Sequence, residues 1–102
     1  MLVHAVYFWL KPELTPAQTA DFWRGLGTLK QIRSVETIHL GKAAATEKRP
    51  VIDHSYSAAL VIGFKDVASH DAYQDDPIHL KFVADCKDYW TRVQIYDSQA
   101  AS

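Results

Sequence analysis

Hydrophobic and polar residues follow two different periods along this chain. From Leu2 to Lys11 nearly every residue is aromatic, branched or small. Alternation puts Leu2, His4, Val6, Phe8 and Leu10 on one side of an extended segment and Val3, Ala5, Tyr7 and Trp9 on the other. This predicts a buried strand. Both of its sides are apolar, although a lone domain of this size normally leaves one face of its sheet wet.

At "LTPAQ" the period changes. Thr15 can cap a helix, Pro16 suits the first helical position and Gln18 completes a T-x-x-Q capping box. Thr19, Phe22, Trp23, Leu26 and Leu29 then form one apolar stripe. Gly25 and Gly27 interrupt this helix, each at about 1 kcal/mol relative to alanine, which implies either close packing or a space left for something. Ser34 to Lys42 alternates as a second strand, "AAATEKRPVI" reads as a loop, and His54 to Phe64 is a third strand. A short helix is predicted over Val67 to Tyr73. A further helix starts at Pro77, capped by Asp76, and should run to about Trp90. Arg92 to Ser98 closes as a fourth strand.

The order β-α-β-β-(αα)-β is the ferredoxin-like arrangement of the α+β class, a four-stranded antiparallel sheet with helices on one face. The apolar second face of the first strand then needs a cover. The simplest is a second copy, giving a homodimer through the helix-free sheet face, a dimeric α+β barrel. Trp9 and Tyr7 would fill that interface.

Composition narrows the function classes. The 102 residues make one domain, residues 1–102, with 48% hydrophobic and 23% charged residues. Eleven basic against twelve acidic residues leave a net charge of −1. Lys42, Lys48 and Arg49 are interrupted by Glu47, so no basic cluster marks a nucleic-acid partner. Cys86 is alone, which excludes an intrachain disulfide and favours a reducing compartment. The first apolar run lacks a basic leader and is too short to span a bilayer. The expectation is a cytoplasmic protein without membrane or nucleic-acid partners.

Three stretches, "VHAVYFWLKPELTPAQ", "DAYQDDPIHLKF" and "VQIYDS", resemble the stress-responsive A/B-barrel (Dabb) family over nearly the whole chain. The resemblance implies a dimeric α+β barrel of about this length. Most members of that family have no assigned activity. A catalytic member, plant olivetolic acid cyclase, closes a polyketide ring with a histidine and a tyrosine. The matching residues here are His79 and Tyr73, with His4 matching its first-strand histidine. The resemblance also places Trp23, Leu60 and Trp90 along a pocket. Leu26 stands where the cyclase has a second pocket tyrosine, and Asp76 replaces the histidine usual before this proline, so the same substrate is not implied.

The residues point to the same corner independently. From Pro77, His79 shares a helical stripe with Phe82, Val83, Cys86, Tyr89 and Trp90, while Lys81, Asp85, Lys87 and Asp88 lie on the wet face. A buried imidazole needs partners, and a helix N-terminus disfavours its charged form, leaving the neutral ring that a general base requires. It is either a core histidine bonded to a backbone carbonyl or Tyr73, or a pocket base. His4 shares the alternatives of packing and ligand contact. With Phe8, Trp23 and Trp90 these rings would form an apolar pocket holding a few polar groups. Tyr73 either polarises a carbonyl oxygen or plugs the seam between two helices.

His39, His54 and His70 fall on separate elements without ligand spacing, so no metal is expected. Cys86 on the apolar stripe is expected to stay a protonated thiol. No cofactor is implied. The leading reading is a barrel that binds a small hydrophobic molecule. The second is a cofactor-independent acid/base enzyme on a hydrophobic carbonyl compound, with His79 as base, Tyr73 as donor and His4 orienting. The third is a cofactor-free monooxygenase, as in other dimeric α+β barrels.

Overall fold

Strand β1 (Leu2–Leu10) occupies the interior of a four-stranded antiparallel sheet ordered β2-β3-β1-β4, with β2 Thr37–Gly41, β3 Ala58–Phe64 and β4 Trp90–Gln99. The computed structural model describes residues 1–102. Burial along β1 alternates as its sequence dictates. Leu2, His4, Val6 and Phe8 are enclosed under the helices, whereas Val3, Ala5, Tyr7 and Trp9 face the other way and are more open. The register sets His4 between Ile62 of β3 and Asp97 of β4.

Helix α1 (Pro16–Thr28) begins with the capping box: Gln18 N–H donates to Thr15 Oγ1 and Thr15 N–H donates to Gln18 Oε1. Its stripe buries Phe22 and Leu26. Helix α2 (Val67–Asp75) is capped by Asp66 and buries Tyr73; helix α3 (Pro77–Cys86) is capped by Asp76 and buries Phe82 and Cys86. All three helices lie on one sheet face. Between the layers sit Phe8, Phe22, Leu26, Leu29, Leu60, Ile62, Phe64 and Phe82.

Five boundaries differ from the sequence reading by two or more residues. β2 starts at Thr37 because the chain turns at Arg33 and Ser34, with Val35 N–H bonded to the Ile32 carbonyl. β3 starts at Ala58, the last residue paired with β1, so His54 lies in the irregular segment 42–57, with its Nε2 near Thr46 Oγ1. α2 runs two residues further, to Asp75. α3 gives way after Cys86 to a 3₁₀ turn over Lys87–Tyr89, and Trp90 begins β4 by pairing with Leu10. The pull of that strand pairing ends the helix before the apolar stripe runs out.

Candidate functional site

One corner of the helix–sheet interior collects the titratable rings. β1 supplies His4, α2 supplies Tyr73, and α3 supplies His79 from its first turn. The His4 and Tyr73 ring centroids are 5.7 Å apart, and those of Tyr73 and His79 are 4.7 Å apart. The three sequence candidates therefore converge. Asp76 makes this possible: it ends α2, caps α3, and turns the chain so that residues six apart face one another.

Each ring has one fixed edge or none. His4 Nδ1 lies 2.5 Å from Asp97 Oδ1, its cross-strand neighbour. His79 Nδ1 donates to the Gln74 carbonyl oxygen at 3.1 Å, which leaves Nε2 with the lone pair. Burial pushes both histidines below their ordinary pKa. For His4 the Asp97 hydrogen bond and charge oppose that shift while His70 reinforces it. For His79 the Gln74 carbonyl and Asp76 oppose it, and His4 and His70 reinforce it. Burial raises the Tyr73 phenol, with no hydrogen bond acting on it. The second nitrogens of His4 and His79 and the Tyr73 hydroxyl thus hold unused hydrogen-bonding capacity. Ser34 Oγ is the one wholly enclosed side-chain polar atom left without a partner, so these three tips are not sealed.

The apolar candidates divide. Phe8, Leu26 and Leu60 are fully packed core residues. Trp23 and Trp90 are half-buried, and Trp90 lies against Phe8 and Phe82 at ring-centroid distances of 5.0 and 5.8 Å. Aromatic packing fills the space between sheet and helices at that end. A groove of about 610 Å³ runs instead between α1 and α3, past Arg24, Gly25, Lys81 and Cys86.

Two residues of the corner escaped the sequence reading. His70 on α2 brings its ring centroid to 4.9 Å from that of His4, and Asp97 comes from β4. Both carried a usable signal. His70 precedes Tyr73 by three residues and so shares its helix face. Asp97 has the same strand parity as Val93 and Ile95, a polar residue in an inward row. By contrast, His39, exposed on β2, and His54, half-buried in the segment before β3, do not join this cluster.

The model of the Stress Responsive A/B Barrel Domain, Dabb, matches residues 2–100. The chain belongs to the Dabb family. Solved structures repeat the fold of this Dabb chain. A Dabb protein with a ferredoxin-like fold from Mesorhizobium loti is 24% identical, with a TM-score of 0.79, covering 99% of this chain and 97% of that one. A dimeric ferredoxin-like protein of unknown function from Thermobifida fusca is 19% identical, with a TM-score of 0.77, covering 97% and 90%. Hydroxynitrile lyase from Passiflora edulis is 18% identical, with a TM-score of 0.78, covering 95% and 90%. No curated protein sequence matches. At these identities the structural likeness speaks for the fold alone. No helix is long and apolar enough to cross a membrane.

Proposed function

We propose that this Dabb protein binds a small hydrophobic molecule carrying a carbonyl or hydroxyl group, with that group held among His4, Tyr73 and His79. The observation that carries this is the unused hydrogen-bonding capacity of three neighbouring, largely buried side chains. Because these tips are not sealed, a molecule that covers them must supply partners or cost about 1–3 kcal/mol for each polar atom left unpaired. A ligand oxygen would satisfy several of them at once, while Phe64, its ring centroid 6.1 Å from that of His4 and 5.1 Å from that of Tyr73, offers apolar surface beside them. Ligand-observed NMR against a panel of alkyl and aryl aldehydes and ketones tests this. Binding that weakens at least tenfold in His79→Gln and Tyr73→Phe supports it, and affinities unchanged in both variants overturn it.

A second reading is cofactor-independent acid/base catalysis on such a compound. It draws on the tautomer that Gln74 imposes on His79. Nε2 can take a proton next to the carbonyl while Tyr73 O–H donates to the oxygen that gains negative charge, and Asp97 holds His4 in orientation. A Passiflora edulis protein with this fold is a hydroxynitrile lyase. Such a pair supplies about 10²–10⁴-fold. Turnover of a panel compound that vanishes in His79→Gln but not in His39→Ala would support this reading. Turnover equal in both would sink it. No observation favours a monooxygenase.

The helix-free sheet face presents Val3, Tyr7, Trp9 and Tyr96, with Val3 and Tyr96 exposed in the single chain. The proposed partner for this surface is a second copy, in line with the dimeric descriptions of several proteins of the same fold. The segment before β3 already leans over part of it: Trp9 Nε1 donates to Ser55 Oγ and Arg92 stacks 4.1 Å from the Trp9 ring centroid.

A further inference from the structure

We propose that His4, His70 and Asp97 form a binding site for one divalent transition-metal ion of the zinc class. This goes beyond the ligand-binding reading and does not need it. Two imidazoles and a carboxylate are the donor set such ions take, and three protein ligands leave a fourth position open to water. Spacing along the chain gave no hint of it, because β1, α2 and β4 each contribute one ligand. The fold brings one donor atom from each to within 4.8 Å of the others.

Three features favour a built site over a chance meeting. First, both ends are fixed by backbone: His4 and Asp97 are register partners, and the Asp66 cap sets α2 so that His70 falls over them. Second, the hydrogen bonds of His70 agree on one tautomer. Its Nδ1 donates to Asp71 Oδ1 at 3.1 Å, and its Nε2 accepts from the Gln74 amide at 3.2 Å. A carboxylate on the far nitrogen is the usual support of a metal-bound histidine, orienting the ring, and the Nε2 lone pair passes to an ion once the Gln74 amide turns away. Third, His4 is 2% exposed, and its Nδ1 is already turned to Asp97, the one partner of the ring.

Access and fit are also readable. Side-chain exposure rises from 3% at His4 through 16% at His70 to 43% at Asp97, so the corner opens toward solvent on the carboxylate side. Donors on a tetrahedral ion stand about 3.3 Å apart, given metal–ligand distances near 2.0–2.2 Å. His4 and Asp97 are closer than that and must part. Asp97, half-exposed on an edge strand, is free to swing outward.

The test is titration of the full-length protein with Zn²⁺ by calorimetry and with Co²⁺ by visible absorption. The expected result is one ion per chain, with Co²⁺ bands typical of nitrogen and oxygen ligands. His70→Gln and Asp97→Asn should each weaken binding at least tenfold, and Asp71→Ala should weaken it less. His39→Ala and His54→Ala should leave it unchanged. Circular dichroism checks that each variant folds. Should Asp97→Asn lose its fold, imidazole NMR shifts of His4 and His70 on adding Zn²⁺ to the unaltered protein decide the matter. Absence of stoichiometric binding, or binding removed by His39→Ala or His54→Ala instead, overturns the proposal. His79→Gln separates the two readings: it should weaken carbonyl-ligand binding at least tenfold and spare the metal, while His70→Gln should do the reverse.

Discussion

Gly25 lets α1 lie directly against Cys86: a Cβ at that position would stand 2.9 Å from the Cys86 sulfur and 3.0 Å from Phe82 Cδ1. Gly27, two residues on, would meet nothing within 4 Å. The two glycines that interrupt one helical stripe thus have different reasons. Gly25→Ala is expected to lower stability by up to about 2 kcal/mol, an overpacking cost of about 1–3 kcal/mol less about 1 kcal/mol of helix propensity. Gly27→Ala should raise it by up to about 1 kcal/mol. Urea unfolding of both variants checks the difference, and equal shifts would refute this account of the α1–α3 contact.

The same contact encloses Cys86. Its thiol is buried, and that burial pushes its pKa up, with Asp85 and Asp21 adding to the effect. A protonated, enclosed thiol is a poor nucleophile. The folded protein should react with a disulfide reagent such as DTNB at least tenfold more slowly than the urea-unfolded chain. Comparable rates would mean that α1 and α3 separate readily.

His79 makes stability depend on pH. Its folded pKa lies below the ordinary 6.5, so the unfolded chain takes up this proton first as pH falls. The contribution is complete above about 6.5 and is lost as pH drops through the folded pKa. Metal-free protein should therefore melt at lower temperature at pH 5 than at pH 7.5. His79→Gln should flatten that slope without removing it, since burial shifts His4 in the same direction. An identical slope in the variant would assign the acid sensitivity elsewhere.

Most of the fold was legible, and the reasons are local. Alternation in β1, the Thr15–Gln18 box and the Asp76-Pro77 stop each act within a few residues. The misplaced boundaries are those decided at a distance. Nothing in "HSYS" shows that its neighbours run out at Ala58, or in "DYW" that Leu10 will claim Trp90 as a strand residue. The site divides in the same way. Tyr73 and His79 flank one proline and could be paired by eye, whereas Asp97 reaches His4 only through a register between residues 93 positions apart.

The helix-free face gives a direct test of self-association. Tyr96 is 62% exposed in the single chain and stands across from Ala5, beside Val3 and Tyr7. Light scattering should report a dimer of the unaltered protein and a monomer for Tyr96→Glu at equal concentration, with similar far-UV circular dichroism. A Tyr96→Glu protein that remains dimeric would move the interface off this surface.

The sheet's register also governs how the chain can be made. Leu2 pairs with Gln99, and Ala100 N–H donates to the Met1 carbonyl oxygen, so the first strand synthesised is completed by the last. At about 5–20 residues per second, β4 emerges some ~5–20 s after β1. Throughout that interval one hydrogen-bonding edge of an aromatic-rich strand stays open on the nascent chain, the kind of edge that recruits other strands. A polypeptide terminated before Trp90 would keep that edge open permanently, and it is expected to accumulate as insoluble aggregate.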